Sequence, residues 1–249
     1  MKTPVLIPAH NEQTHIARVL QSLPADRTDP TVIVNGSDDN TYEIAKSFGV
    51  NVIALEDPGK LPALQFAFRK LGERALDPVL ILDGDTFPRF PNAWHKTMVN
   101  QLIELSDGKR PATTAGLVYH TGTSVLYSLL QVARNAYKAR TTSYTTPNMK
   151  YSGIYGPNMG VFFRNNSLLS EILELPHYWP GEDIAMSNVA IENGGVHKPT
   201  SNLGCLVVSP LSLSAVTLRD RIRGGPDEAR KRGVANYIKR GPPGSVPYI

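Results

Sequence analysis

The sequence predicts an α/β domain built on a largely parallel sheet. Short apolar runs alternate with helix-spaced apolar positions through the first half. One run, V-L-I-L (79–82), is apolar without interruption, as expected of a strand covered on both faces. Each run ends in a polar stretch, and in such sheets ligands bind beyond the carboxyl ends of the strands.

Taken in order, T-P-V-L-I-P-A (3–9) reads as a strand bounded by prolines. Ile16, Val19, Leu20 and Leu23 then fall at i, i+3, i+4 and i+7, one face of a helix. T-V-I-V (31–34) is a short strand closed by the turn-rich N-G-S-D-D-N, and a helix over about 41–48 precedes the strand V-N-V-I-A-L (50–55). Pro62 suits a first helical turn, after which Leu61, Leu64, Phe68 and Leu71 share a face. The strand 79–82 follows. The polar ends P-A-H-N-E (8–12), N-G-S-D-D-N (35–40), D-P-G-K (57–60) and D-G-D (83–85) therefore share one sheet edge and can line one cleft.

The second half is less regular. An amphipathic stretch at about 123–140 leads to residues 141–158, a long surface loop rich in Tyr (Tyr144, Tyr151, Tyr155), Thr, Gly and Pro. G-V-F-F-R (160–164) is a strand, and Y-W-P-G-E-D-I-A-M passes from loop to helix near Glu182. Neither an internal repeat nor a linker between two domains is visible.

Composition narrows the class. With 249 residues, 41% of them hydrophobic, the chain can fill one large core. A single cysteine, Cys205, excludes an internal disulfide framework and suits a reducing compartment. No apolar run approaches membrane-spanning length, and the opening M-K-T-P-V-L-I-P-A-H lacks a signal-peptide core. The expected location is cytoplasmic, free or peripheral to a membrane. The net charge of +4 sits at one end: residues 219–249 carry eight Lys/Arg against three acidic residues, leaving the rest at −1. Such a tail is either a solvated helix face or a contact for a phosphate-bearing or acidic partner.

The chemistry gathers at a few acidic positions. Asp83 and Asp85, at i and i+2 of extended backbone, point to the same side, and Gly84 between them allows close approach. They form either a solvated turn or a site for a hard cation, Mg²⁺ or Mn²⁺. Glu182 and Asp183 are either the acidic start of a helix or a general base at the cleft. Lys60 is a loop lysine or a phosphate contact, and Asn11 and Glu12 open the first helix or line the cleft. D-P-G-K-L lacks the spacing and the Ser/Thr of a P-loop, and the first strand ends without the glycines of a dinucleotide fingerprint.

In order and spacing, V-L-I-P-A-H-N-E (5–12), N-G-S-D-D-N-T (35–41), G-K-L-P-A-L (59–64), L-D-G-D (82–85), G-V-F-F-R (160–164) and G-E-D (181–183) resemble family-2 glycosyltransferases with the GT-A fold. The resemblance implies a nucleotide-diphosphate sugar donor and Mn²⁺ or Mg²⁺. It implies that Pro8, Ala9, Asn11 and Glu12 shape the base and ribose pocket and that Arg223 (from R-D-R-I-R-G) touches the diphosphate; Asn35, Lys60 and Gly84 complete the expected donor-binding set. Asp83 would touch ribose or metal, Asp85 would ligate the metal, and Asp183, beside Glu182, would deprotonate an acceptor hydroxyl in an inverting transfer. The family's acidic residue before N-G-S is Val34 here; for its histidine after E-D, His197 comes early and Ser209 holds the comparable place. The implied layout is a glycosyltransferase domain over 1–218, with a donor half (1–110) and an acceptor half (111–218), then a basic helical tail over 219–249. The acceptor is open among saccharide, lipid phosphate, protein and nucleic acid. Two alternatives use the same residues. L-D-G-D-T-F is similar to the D-x-D-x-T nucleophile motif of haloacid-dehalogenase-type phosphatases, although Phe87 stands where Thr is needed. A non-catalytic nucleotide-sugar-binding module is the other.

Overall fold

The computed structural model describes residues 1–121, 125–141, 158–175 and 182–210. Its first half alternates as the apolar spacing predicts: β1 (Thr3–Ala9), α1 (Ile16–Gln21), β2 (Thr28–Asn35), α2 (Thr41–Ser47), β3 (Asn51–Leu55), α3 (Lys60–Leu71) and β4 (Val79–Leu82). Then come β5 (Phe87–Pro88), α4 (Pro91–Ser106), β6 (Ala112–Ala115), β7 (Val118–Thr121) and α5 (Val125–Thr141). The remaining elements are β8 (Asn158–Phe162), α6 (Asn166–Leu173), α7 (Glu182–Glu192), β9 (Val196–His197) and β10 (Val207–Pro210).

Seven strands form one sheet in the order β3-β2-β1-β4-β8-β6-β9. β1 pairs in parallel with β2 and β4, and β2 with β3, so four strands deliver their carboxyl ends to one edge. β8 runs antiparallel between β4 and β6. A second sheet, β5-β10-β7, lies apart from the first. The chain steps from β1 to β2 on one side and later to β4 on the other, which opens a crevice between β1 and β4 at their carboxyl ends.

Strand alternation builds two cores. Val5 and Ile7 of β1 and Leu80 and Leu82 of β4 face α1 and α4, among Ile16, Val19, Trp94 and Met98. Leu6, Val79 and Ile81 face the opposite way, among Leu64, Phe68, Val161, Phe163 and Leu168. The Phe68 and Phe163 rings sit 5.5 Å apart. Each such side chain contributes roughly 1.5–3 kcal/mol by leaving water, and together they fix the edge from which the polar loops emerge.

Several boundaries differ from the sequence expectation, among them β8, which covers Asn158–Phe162 instead of 160–164. β2 begins at Thr28, ahead of the predicted 31, because residues 28–30 pair with β1 alone. Pro30, which has no N–H to donate, lies in the part of β2 that β3 does not reach. Leu23 lies past the end of α1 yet is buried. The tyrosine-rich loop, Gly181, Arg223 and the basic tail fall outside the described residues.

Candidate active site

The loop after β1 is moulded by the loop after β2. Asn11 takes a left-handed backbone (φ 56°), and its N–H donates to Ser37 Oγ at 3.0 Å while its side-chain oxygen accepts from Asp38 N at 3.0 Å. Glu12 N donates to Thr41 Oγ1 (2.8 Å) and Gln13 N to Asp39 Oδ2 (3.0 Å). N-G-S-D-D-N-T thus satisfies the backbone donors that P-A-H-N-E leaves open at the start of α1. Asn35, nearly buried, lies between the two loops. With its amide nitrogen toward Ala9 O (2.8 Å), its oxygen accepts from Gly59 N (3.0 Å). Its side chain is spent on holding the Gly59–Lys60 corner against β1, which makes it a positioning residue.

Gly84 has a different reason from the one its place in D-G-D suggests. Its N–H donates to Pro8 O at 3.2 Å, and a Cβ there would meet Ala9 Cβ at 2.9 Å and Glu12 Cγ at 3.1 Å. The close approach it permits is that of the β1 loop. Pro8 and Ala9 are themselves buried, while Asn11 is exposed and Glu12 half-buried at the rim.

Lys60 ties the acidic motifs together. Its Nζ stands 2.5 Å from Asp83 Oδ1 and 2.5 Å from Glu182 Oε1. A lysine as the first residue of α3 opposes the helix dipole, so local propensity does not explain it. The two carboxylates do. Underneath, Leu61 and Ala185 pack together, joining the starts of α3 and α7. One turn on, Gln65 Nε2 donates to Ile172 O (3.0 Å) and Leu175 O (2.9 Å), holding the end of α6 to α3.

The electrostatics are strained toward negative charge. Burial pushes the Asp83 carboxyl above its ordinary range; Lys60 opposes this, while Glu182 and Asp85 reinforce it. Burial raises Glu12 likewise, its hydrogen bond with His15 works the other way, and the charges of Asp85 and Asp83 add to the rise. Burial disfavours the Lys60 ammonium, but Asp83 and Glu182 outweigh it and hold its pKa above the usual lysine value. Among the described residues, the Lys60 ammonium lies between Asp83 and Glu182, and the charges of Asp85 and Glu12 bear on Asp83.

That surplus fits a divalent cation. Asp85 keeps a half-buried carboxylate whose Oδ1 accepts from Thr86 Oγ1 at 2.9 Å, and carboxylate oxygens are what Mg²⁺ and Mn²⁺ take. Among the described residues no three His, Cys, Asp or Glu side chains converge as a complete cage. From the described residues an ion here would draw one or two ligands, leaving positions of the kind that water or phosphate oxygens fill on Mg²⁺.

Asp183 follows Glu182 in α7 and is 7% exposed. A network that the motifs did not reveal anchors its turn. Ser187 Oγ donates to Asp183 O at 2.8 Å and lies 3.3 Å from His197 Nδ1, which is 2.9 Å from Thr113 Oγ1. Thr113 and His197 are fully buried. Burial drives the imidazole pKa down to about 3, so the ring is neutral. Ser187 at i+4 from Asp183 was the only sequence trace of this brace. Ser209 is buried in β10, and Val34 packs in the core.

A mostly parallel sheet with acids grouped at its switch point, interrupted by one antiparallel strand, is the GT-A type of glycosyltransferase fold. The chain belongs to glycosyl transferase family 2, whose model matches residues 5–166. Glucosyl-3-phosphoglycerate synthase from Mycobacterium tuberculosis, solved with Mn²⁺, UDP-glucose and phosphoglyceric acid, is 18% identical with a TM-score of 0.55, over 93% of this chain and 79% of that one. The same enzyme with UDP is 17% identical with a TM-score of 0.54, over 93% and 80%. At such identity the likeness is one of fold. No curated protein sequence matches the chain. Family membership sets aside the phosphatase alternative for D-G-D-T-F and the non-catalytic module: the protein is a glycosyltransferase. No helix among the described residues is long and apolar enough to cross a membrane.

Proposed function

We propose that the enzyme takes a nucleoside-diphosphate sugar, together with Mn²⁺ or Mg²⁺, in the crevice beyond β1 and β4 and transfers the sugar to a hydroxyl acceptor. The observation that carries this is the Lys60 ammonium shared by Asp83 and Glu182, 2.5 Å from each, amid surplus carboxylates. A diphosphate cannot enter so acidic a cleft without additional positive charge.

In this reading Pro8, Ala9, Asn11 and Glu12 form the wall against base and ribose, with Asn35 bracing it. Asp85 holds the cation, and Asp83 orients ribose or shares that ion. When bound, the cation offsets the charge that builds on the departing nucleoside diphosphate. Lys60 adds a fixed positive charge beside it, and Arg223, outside the described residues, contributes another. Asp183 accepts the acceptor's hydroxyl proton in an inverting transfer, steadied by Ser187 and paired along α7 with Glu182. The solved relatives bind Mn²⁺ and UDP-sugar, which supports the donor class.

Thermal unfolding against UDP, GDP, CDP, dTDP and ADP, with and without Mn²⁺, tests the reading. A ligand at about 100 times its Kd adds roughly 2.7 kcal/mol, or about 5–10 °C for a chain of this size. One nucleotide is expected to shift the midpoint in a Mn²⁺-dependent way, and Asp85→Asn to abolish the metal-dependent part. Asp183→Asn is expected to keep binding and lose transfer. No shift with any nucleotide refutes the donor site, and normal turnover by Asp183→Asn refutes the base.

A further inference from the structure

Six of the eleven exposed large hydrophobic side chains among the described residues lie on α5. Val125, Leu126, Leu129, Leu130 and Tyr137 are 54–70% exposed. At 100° per residue they fall, with Ala133 and Ala136, in a stripe roughly 140° wide. The helix is mounted on its other side through Ser128, Val132 and Ala139, of which Ser128 donates to His120 O at 2.6 Å. The sequence calls this stretch amphipathic; its large apolar side chains point outward.

The charges carried by α5 itself are of one sign. Arg134 and Lys138 lie beyond one margin of it, Arg140 stands at its carboxyl-terminal end, and no Asp or Glu occurs in the helix. A two-fold contact between copies through α5 would set these cations against themselves with no acid on the helix to answer. An exposed apolar stripe whose charged neighbours on the helix are all Lys and Arg has as its complement a hydrocarbon boundary beneath anionic headgroups. The +5 charge of residues 219–249 has the same sign. With 17 residues and three charges, α5 suits lying on a bilayer rather than crossing it.

We propose that α5 is a membrane-docking helix, which inserts Leu126, Leu129, Leu130 and Tyr137 into the interfacial layer of an anionic bilayer while Arg134, Lys138 and Arg140 engage the headgroups. The inference is independent of the donor-site assignment. The full chain is sedimented with vesicles of phosphatidylcholine alone and with about 30% phosphatidylglycerol, alongside a Leu126→Ser/Leu130→Ser variant whose melting temperature confirms folding. Binding to the anionic vesicles alone is expected, with a loss of roughly tenfold or more in partition coefficient for the variant. No binding to anionic vesicles overturns the proposal. So does binding that the variant retains in full, which would leave electrostatics outside α5 as its cause. A dimer by light scattering that the variant dissociates would assign the stripe to a second copy and likewise overturn it.

Discussion

Replacing Lys60 by Met removes the cation that, among the described residues, joins Asp83 and Glu182. Each carboxylate oxygen is 2.5 Å from Nζ, so the two acids stand no more than about 5 Å apart across it. Two like charges at that distance repel by ~3 kcal/mol at an effective dielectric of about 20 and by ~1 kcal/mol in water. Their side chains are 30% and 16% exposed, which places the site between those limits. A loss of roughly 2 kcal/mol at neutral pH follows, or about 4–8 °C in melting temperature. The sign with pH is specific. Asp83 already holds its proton more tightly in the folded chain than in water; without the ammonium it holds it more tightly still. The folded variant then binds a proton that the unfolded chain releases, so its deficit shrinks as pH falls from about 8 to about 5. Melting curves of wild type and Lys60→Met across that range measure it. Adding Glu182→Gln to Lys60→Met removes the repulsion and is expected to recover most of the deficit. A deficit independent of pH, or a double variant no better than the single one, would refute the shared-cation account.

Two further outcomes are expected. His197 falls from the usual 6.5 to about 3 on burial, so the unfolded state takes up a proton first and stability drops by up to ~4 kcal/mol as pH falls through that window; His197→Gln should flatten the slope of unfolding free energy against pH, and an unchanged slope would show the ring is not the titrating group. Gly84→Ala brings a Cβ within 2.9 Å of Ala9 Cβ and should cost about 1–3 kcal/mol in urea unfolding, whereas wild-type stability would mean that the β1 loop does not rest on D-G-D.

The sheet was legible because its signals are local. β1 and β4 announce themselves by apolar runs that end abruptly in polar residues, and the parallel order follows from the intervening helices. The acids were legible for the same reason: Asp83, Asp85, Glu182 and Asp183 fall at element ends. Their partners were less so. Nothing adjacent to D-P-G-K shows that the lysine reaches across the cleft to both acids, because that contact exists only once α3 and α7 pack through Leu61 and Ala185. The Thr113–Ser187–His197 brace joins β6, α7 and β9, residues 74 or more apart in two of its links and 10 apart in the third, and polar residues in an apolar setting carry no sequence period. Asn35 and Gly84 were picked out by position as donor-binding, and no local signal showed that both also serve the packing of one loop on another. For α5 the periodicity disclosed an apolar stripe but not which way it faces, since that depends on the small side chains at Ser128 and Ala139 fitting below.

The direction of β8 has a consequence for altering the enzyme. Because it runs against β4, its first residue, Asn158, lies opposite Leu82, and Trp94 Nε1 pins it there through a 2.8 Å bond to its Oδ1. The chain consequently re-enters the sheet at the margin where it departed into D-G-D. Segments grafted ahead of Asn158 arrive next to the acids while β1, β2 and β3 keep their connections. On the proposed donor-site assignment, such segments can be exchanged like a tool in a chuck, with Asn158 and Trp94 as the jaws and the strands that carry that site left as they are.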